Sequence, residues 1–113
     1  MSARYPFSAG TGDARQRAPD GACDCHVHVY DGKTPAVVGA VFDPPPATIG
    51  DYRHVQQRIG TTRAVLVTPS TYGTNNAPML AGLAQLGRHG RGIAVIDGRE
   101  SAAHLADLHA QGV

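Results

Sequence analysis

The side chains best able to bind a cation or carry a proton lie in one short run, Cys23-Asp24-Cys25-His26-Val27-His28-Val29-Tyr30. Neutral imidazole is a ligand for zinc and similar metals, and it exchanges protons near neutral pH. A strand over residues 22–29 would send alternate side chains to opposite faces. Asp24, His26 and His28 are then expected on one face, and Cys23, Cys25, Val27 and Val29 on the other. Two imidazoles at i and i+2 would converge on one cation or one carbonyl group. Asp24, one step deeper, would orient a ring or balance charge. The small second set would pack beneath helices, where free cysteine behaves as a small hydrophobe. A rival arrangement makes ligands of Cys23, Cys25, His26 and His28 together. It needs a loop instead of a strand, and it would make the chain a small non-catalytic metal-binding or interaction protein.

The elements that must position these residues follow from the pattern downstream. Thr48 with Asp51 three residues on forms a variant capping box. Ile49, Tyr52, Val55 and Ile59 recur at helical spacing, and Gly60 supplies a stop. Residues 63–68 form a second strand, whose apolar centre Ala64-Val65-Leu66-Val67 suits a strand covered on both faces. Asn76 is the expected cap of a second helix bearing Leu80, Leu83 and Leu86, with Pro78 in its first turn. Residues 92–96 form a third strand. Ser101 caps a third helix bearing Leu105 and Leu108, and Gly112 ends it. Three strand–helix units in succession predict a parallel sheet. The candidates are a small doubly wound sheet or the opening of a (β/α)8 barrel, which needs roughly 250 residues when complete.

Composition narrows the function classes. The chain has 113 residues, 42% of them hydrophobic and 17% charged, with a net charge of +1. One small domain is affordable, over residues 21–113, behind a flexible leader at 1–20 where Tyr5 and Phe7 are the only candidate anchors. Near-neutral charge gives no electrostatic footprint for nucleic acid or an anionic membrane. No run reaches the ~20 apolar residues of a membrane span, and no signal peptide is read. Two cysteines only two residues apart fit a reducing, cytoplasmic setting better than a structural disulfide.

The run from Gly21 to Tyr30 resembles the opening strand of the amidohydrolase-related TIM-barrel hydrolases. Residues 63–76, RAVLVTPSTYGTNN, resemble the second strand and loop of the 2-pyrone-4,6-dicarboxylate lactonase-like branch. Residues 91–97 resemble its third strand, and residues 105–113 the helix leading to a fourth. The resemblance implies an α/β chain holding the first three units of a (β/α)8 barrel. It implies an N-terminal fragment, inactive alone, that would expose the edge of an unclosed sheet. The parent activity it implies is hydrolysis of a small carboxylated lactone. His26 and His28 would be catalytic, and Ser70, Tyr72 and Asn75 would contact substrate. The branch commonly has Asp where Asn75 stands. One divalent cation, zinc first, held by His26 and His28 is one version; imidazoles polarising the carbonyl without metal are the other. Asp97 reads as a turn residue, and His54, His89, His104 and His109 as surface imidazoles.

Overall fold

The computed structural model describes residues 12–113, so the expected anchors Tyr5 and Phe7 lie outside the described residues. The run Arg63–Val67 forms the central strand, β2, because its even positions are suited to complete burial: Ala64 is 2% exposed and Leu66 0%. Strand β1 (Cys23–Val27) and strand β3 (Gly90–Ile93) flank it, both parallel to it, in the order β1-β2-β3. Between them run helices α1 (Ile49–Ile59) and α2 (Ala77–Leu86), and helix α3 (Ala102–Ala110) follows β3. This is the expected succession of three parallel strands alternating with helices.

The helix ends follow the chemistry of their caps. Thr48 and Asp51 form a complete capping box, and Gly60 ends α1 with φ of 86°. Ser101 Oγ accepts from the His104 amide at the start of α3. Residues 12–18, inside the stretch expected to be a leader, lie across the end of α1. The Ala14 and Ala18 amides donate to the Arg58 and Ile59 carbonyls at 3.0 and 2.8 Å. They supply partners that the last turn of a helix otherwise lacks.

The core occupies one face of the sheet. Val29, Ile49, Tyr52, Ala64, Leu66, Met79, Leu83 and Leu86 form one cluster between the strands and helices α1 and α2. Leu108 of α3 is buried, whereas Leu105 is 45% exposed. The opposite face of β2, carrying Val65 and Val67, is half-buried, and Ile93 beside it is exposed. The run 64–67 suggested cover on both faces; three strands and their helices cover one.

Strand β3 begins two residues earlier than its apolar run. Gly90 and Gly92 pair with Ala64 and Leu66 and face α2. A Cβ built on Gly92 would lie 2.6 Å from Met79 Sδ and 2.7 Å from Leu83 Cδ1. Glycine is therefore required by the closeness of the helix and not by an unusual backbone.

Asn76 departs from its expected role. Its side chain makes no capping bond to α2. It is buried instead, accepting from Thr68 Oγ1 at 2.7 Å and from the Val95 amide at 2.9 Å, and donating to the Val95 carbonyl at 2.9 Å. The cap belongs to Asn75, whose Oδ1 accepts from the Ala77 amide. Asn76 thus ties the ends of β2 and β3 together. Replacing it with Ala leaves the Thr68 hydroxyl and Val95 amide without that partner, at about 1–3 kcal/mol for each buried group left unsatisfied. A urea titration is expected to show Asn76→Ala far below wild type; an unchanged midpoint would refute the strut.

A long connection, residues 31–46, separates β1 from α1. Tyr30 and Ala47 close it by exchanging both backbone hydrogen bonds, each 2.8 Å. Gly32 turns the chain at φ of 73°, where a Cβ would meet Pro46 Cγ at 2.6 Å.

Candidate active site

Pairing along β1 sets where its polar side chains go. Cys23 pairs with Arg63, Asp24 with Ala64, and Val27 with Leu66. Three steps on β1 therefore match two on β2, which is a bulge with one extra residue. Asp24 shares the helix-covered face with Ala64, Leu66 and Val27. Cys23 shares the open face with Arg63, and Cys25 is exposed. Two expectations are corrected here. Asp24 does not share a face with the imidazoles, and the cysteines do not pack under the helices. Strict alternation fails because the bulge reverses its phase between Asp24 and Val27.

The imidazoles themselves come together. The ring centroids of His26 and His28 are 5.0 Å apart, edge to face, and both side chains are exposed. His28 Nδ1 lies 2.9 Å from the Val67 carbonyl oxygen at the end of β2. A carbonyl only accepts, so Nδ1 carries a proton, and Nε2 is the nitrogen that bears the lone pair of the neutral tautomer. Val27 and Val29, on either side of His28, pack into or against the core and hold this stretch down.

Rings continue outward from the pair. His28 stands 6.4 Å from Tyr30, and Tyr30 stands 5.9 Å from Tyr72. Tyr30 was not among the expected site residues, although its place two residues after His28 was the available signal. Tyr72 is buried in the short turn Ser70–Tyr72 after β2. Burial, then the charge of Asp31, pushes its phenol above the ordinary tyrosine range, which keeps it a neutral hydroxyl. Ser70 is exposed on the same turn. Asn75 is exposed too, with its side-chain oxygen engaged in the cap of α2. The structure thus joins His26, His28, Tyr30 and Tyr72 in one row of rings, with Ser70 beside it; Asn75 serves the helix.

A cleft of about 240 Å³ at the edge strand β1 is lined by Asp24, His26 and His28 and, from α1 and its cap, by Thr48, Asp51 and Tyr52 among others. Asp31 shapes the start of the long connection. Its carboxylate accepts from the Lys33 and Thr34 amides at 2.9 and 2.8 Å and from the Thr34 hydroxyl at 2.7 Å. These bonds, led by those from Thr34, hold Asp31 below the usual carboxylate range. A depressed folded value means that the turn gains stability from ionised Asp31 above the ordinary carboxylate pKa. That gain is lost as pH falls through the folded value. The Lys33 and Thr34 amide resonances should therefore stay fixed at neutral pH and move together only in acid; Asp31→Asn should abolish that acid transition.

The donor set bears on metal binding. Two neutral imidazoles fit as two of the three protein donors that a catalytic zinc takes. Among the described residues, no group of three or more His, Cys, Asp or Glu is gathered to hold a metal ion. Burial and the hydrogen bond with Cys25 also push the Cys23 thiol upward, away from the thiolate that a metal needs. The four-residue cysteine–histidine cluster is therefore not assembled. Asp97 accepts from the Arg99 amide within a turn, and His54, His89, His104 and His109 are exposed. No helix among the described residues is long and apolar enough to cross a membrane.

Comparison with known proteins adds the family context. Residues 23–113 match the family model described as amidohydrolase. The chain is 30% identical over 96 residues to a D-galactarolactone isomerase of Agrobacterium fabrum, covering 83% of this chain and 33% of the relative. It is 31% identical over 98 residues to a 4-sulfomuconolactone hydrolase of Rhizobium radiobacter, covering 84% and 32%. Among solved structures, a probable 2-pyrone-4,6-dicarboxylic acid hydrolase of Acinetobacter baumannii with citric acid bound superimposes with a TM-score of 0.78 at 32% identity, over 82% of this chain and 35% of the other. The chain thus spans about a third of the length of the relatives that it matches.

Proposed function

The chain belongs to the amidohydrolase family, and from that premise we propose that it carries the imidazole half of a site that hydrolyses a small carboxylated lactone. The observation that carries this reading is the imidazole pair, with rings 5.0 Å apart and His28 fixed by the Val67 carbonyl. The relatives support the substrate class, since lactones and a pyrone dicarboxylic acid appear in their names.

Hydrolysis adds water across the ring ester. The attacking water must lose a proton while the carbonyl oxygen gains negative charge. Neutral His28 offers its Nε2 lone pair as the acceptor for that proton. The protonated ring then has a donor to return to the departing ring oxygen. His26 stands beside it to donate a hydrogen bond to the developing oxyanion. Ser70 and the neutral phenol of Tyr72 are the hydroxyls that orient the substrate carboxylate, and Asn75 is a further contact through its amide group. In the alternative, metal-assisted version, His26 and His28 would instead give their lone pairs to one divalent cation, zinc first, whose chemistry would be to lower the pKa of bound water to about 7. The setting proposed is cytoplasmic, with neither nucleic acid nor membrane as partner.

A ring-opening assay tests the reading in a complete barrel that carries this chain, since the chain alone spans about a third of its relatives. 2-Pyrone-4,6-dicarboxylate is expected to open faster than its neutral diester, followed by loss of pyrone absorbance with and without chelator. Equal rates for acid and diester would remove the carboxylate requirement. Because one relative is an isomerase, the product is identified as well: a rearranged lactone in place of an open-chain acid would transfer the site to isomerisation.

A further inference from the structure

We infer that Asp24, anchored by Tyr52, is the positioning residue that turns His26 and His28 to the open face of the sheet. The inference rests on the reading of those imidazoles as the site. Its ground is the bulge. Asp24 is paired with Ala64 and faces α1. From that starting phase, an unbroken strand would send His26 and His28 the same way, into the helix layer. The extra residue between Asp24 and Val27 reverses the phase and frees both rings.

The Asp24 carboxylate spans the bulge. Its Oδ2 accepts from the Tyr52 hydroxyl at 2.9 Å, and its Oδ1 faces the His26 amide at 3.5 Å. The first bond is well formed and the second is long. Tyr52 is only 8% exposed, within the core cluster, so its hydroxyl is a fixed point. Burial, then the neighbouring Asp24, raises its ionisation far above the ordinary range, and it remains a donor throughout neutral pH. One carboxylate thus connects a rigid point on α1 to the backbone of the first histidine. Neither Asp24 nor Tyr52 needs to touch substrate for this. A bulge left unanchored on an edge strand can slip by one residue, and such a slip moves every side chain to the other face.

Nuclear magnetic resonance of the isotope-labelled 113-residue chain tests this without recourse to turnover. Wild type should show contact between the His26 and His28 ring protons. Tyr52→Phe keeps the aromatic ring in the core and removes only the hydroxyl. It should lose the inter-ring contact and shift the His26 amide, while the His28 Nδ1–H signal persists. Asp24→Ala should do the same. Asp24→Asn should restore the contact, because a carboxamide can accept from the His26 amide and donate to the Tyr52 oxygen. A folded Tyr52→Phe chain that keeps the ring contact and an unmoved His26 amide overturns the inference. Should Asp24→Ala fail to fold, the Tyr52→Phe result decides alone. Ring-opening by His26 and His28 variants is a separate readout. Turnover that survives their loss sinks the functional reading and leaves the positioning result standing.

Discussion

His28→Asn, made in a complete barrel that carries this chain, is expected to lower kcat/KM for lactone ring opening by about 10²–10⁴-fold, the usual worth of a positioned proton carrier, while leaving the fold intact. The choice of Asn isolates the chemistry. Its side-chain NH₂ can still donate to the Val67 carbonyl, now met by Nδ1 at 2.9 Å. What disappears is the Nε2 lone pair. His28→Ala removes both and adds a carbonyl without its partner, so it should be less stable as well as less active. His26→Asn should cost less than His28→Asn, because oxyanion stabilisation survives in part through any remaining donor. Steady-state kinetics at neutral pH, with a thermal melt of each variant, separate the two effects. A His28→Asn enzyme within threefold of wild type would remove His28 from the mechanism.

A large stability effect is expected at Gly92. Its backbone tolerates a side chain, since φ is not positive there. The obstacle is steric: a Cβ would sit 2.6 Å from Met79 Sδ and 2.7 Å from Leu83 Cδ1. Met79 is 1% exposed and Leu83 3%, so neither can swing into solvent. Overpacking of this kind costs about 1–3 kcal/mol and occasionally more. Gly92→Ala should fall in that range, and Gly92→Val should exceed it and fail to give a cooperative melt. Met79→Ala alone opens a cavity, at a cost of about 2–5 kcal/mol. Combined with Gly92→Ala it should cost less than the sum, because each change relieves the other. Strict additivity in that double-mutant cycle, measured by denaturant titration, would show that the contact is not the cause.

How far the sequence reveals the site depends on the kind of signal. Helix ends were legible from single residues: Thr48 with Asp51, Gly60 and Ser101 all act as their chemistry suggests. The central strand was legible because its apolar run admits little else. The β1 bulge was not, because a register shift leaves no mark in a pattern of residue types; periodicity assumes the phase that the bulge alters. Asp24 and the cysteines were misplaced for that one reason. The early start of β3 was hidden because Gly90 is a poor strand former by propensity and Arg91 is charged. Gly90 is chosen by the helix above it, where a Cβ would meet Leu86 Cβ at 2.9 Å, a tertiary constraint. The cap fell to Asn75 instead of Asn76 because adjacent residues of one type are indistinguishable until the neighbouring strand end is in place. The imidazole pair survived all this, since Val27 and Val29 fix the side to which His28 points.

The doubly bonded pairing of Tyr30 with Ala47 has a consequence for how such a site can diversify. It joins the two stems of the intervening connection, so the strand carrying the imidazoles and the helix after it are held in place independently of what lies between. Enlarging a closed segment is cheap, about 0.6 kcal/mol for each doubling of its length. Insertions, deletions or whole grafts between positions 31 and 46 are therefore the changes that this scaffold absorbs most readily. New contacts can be rebuilt there while the imidazole pair stays untouched.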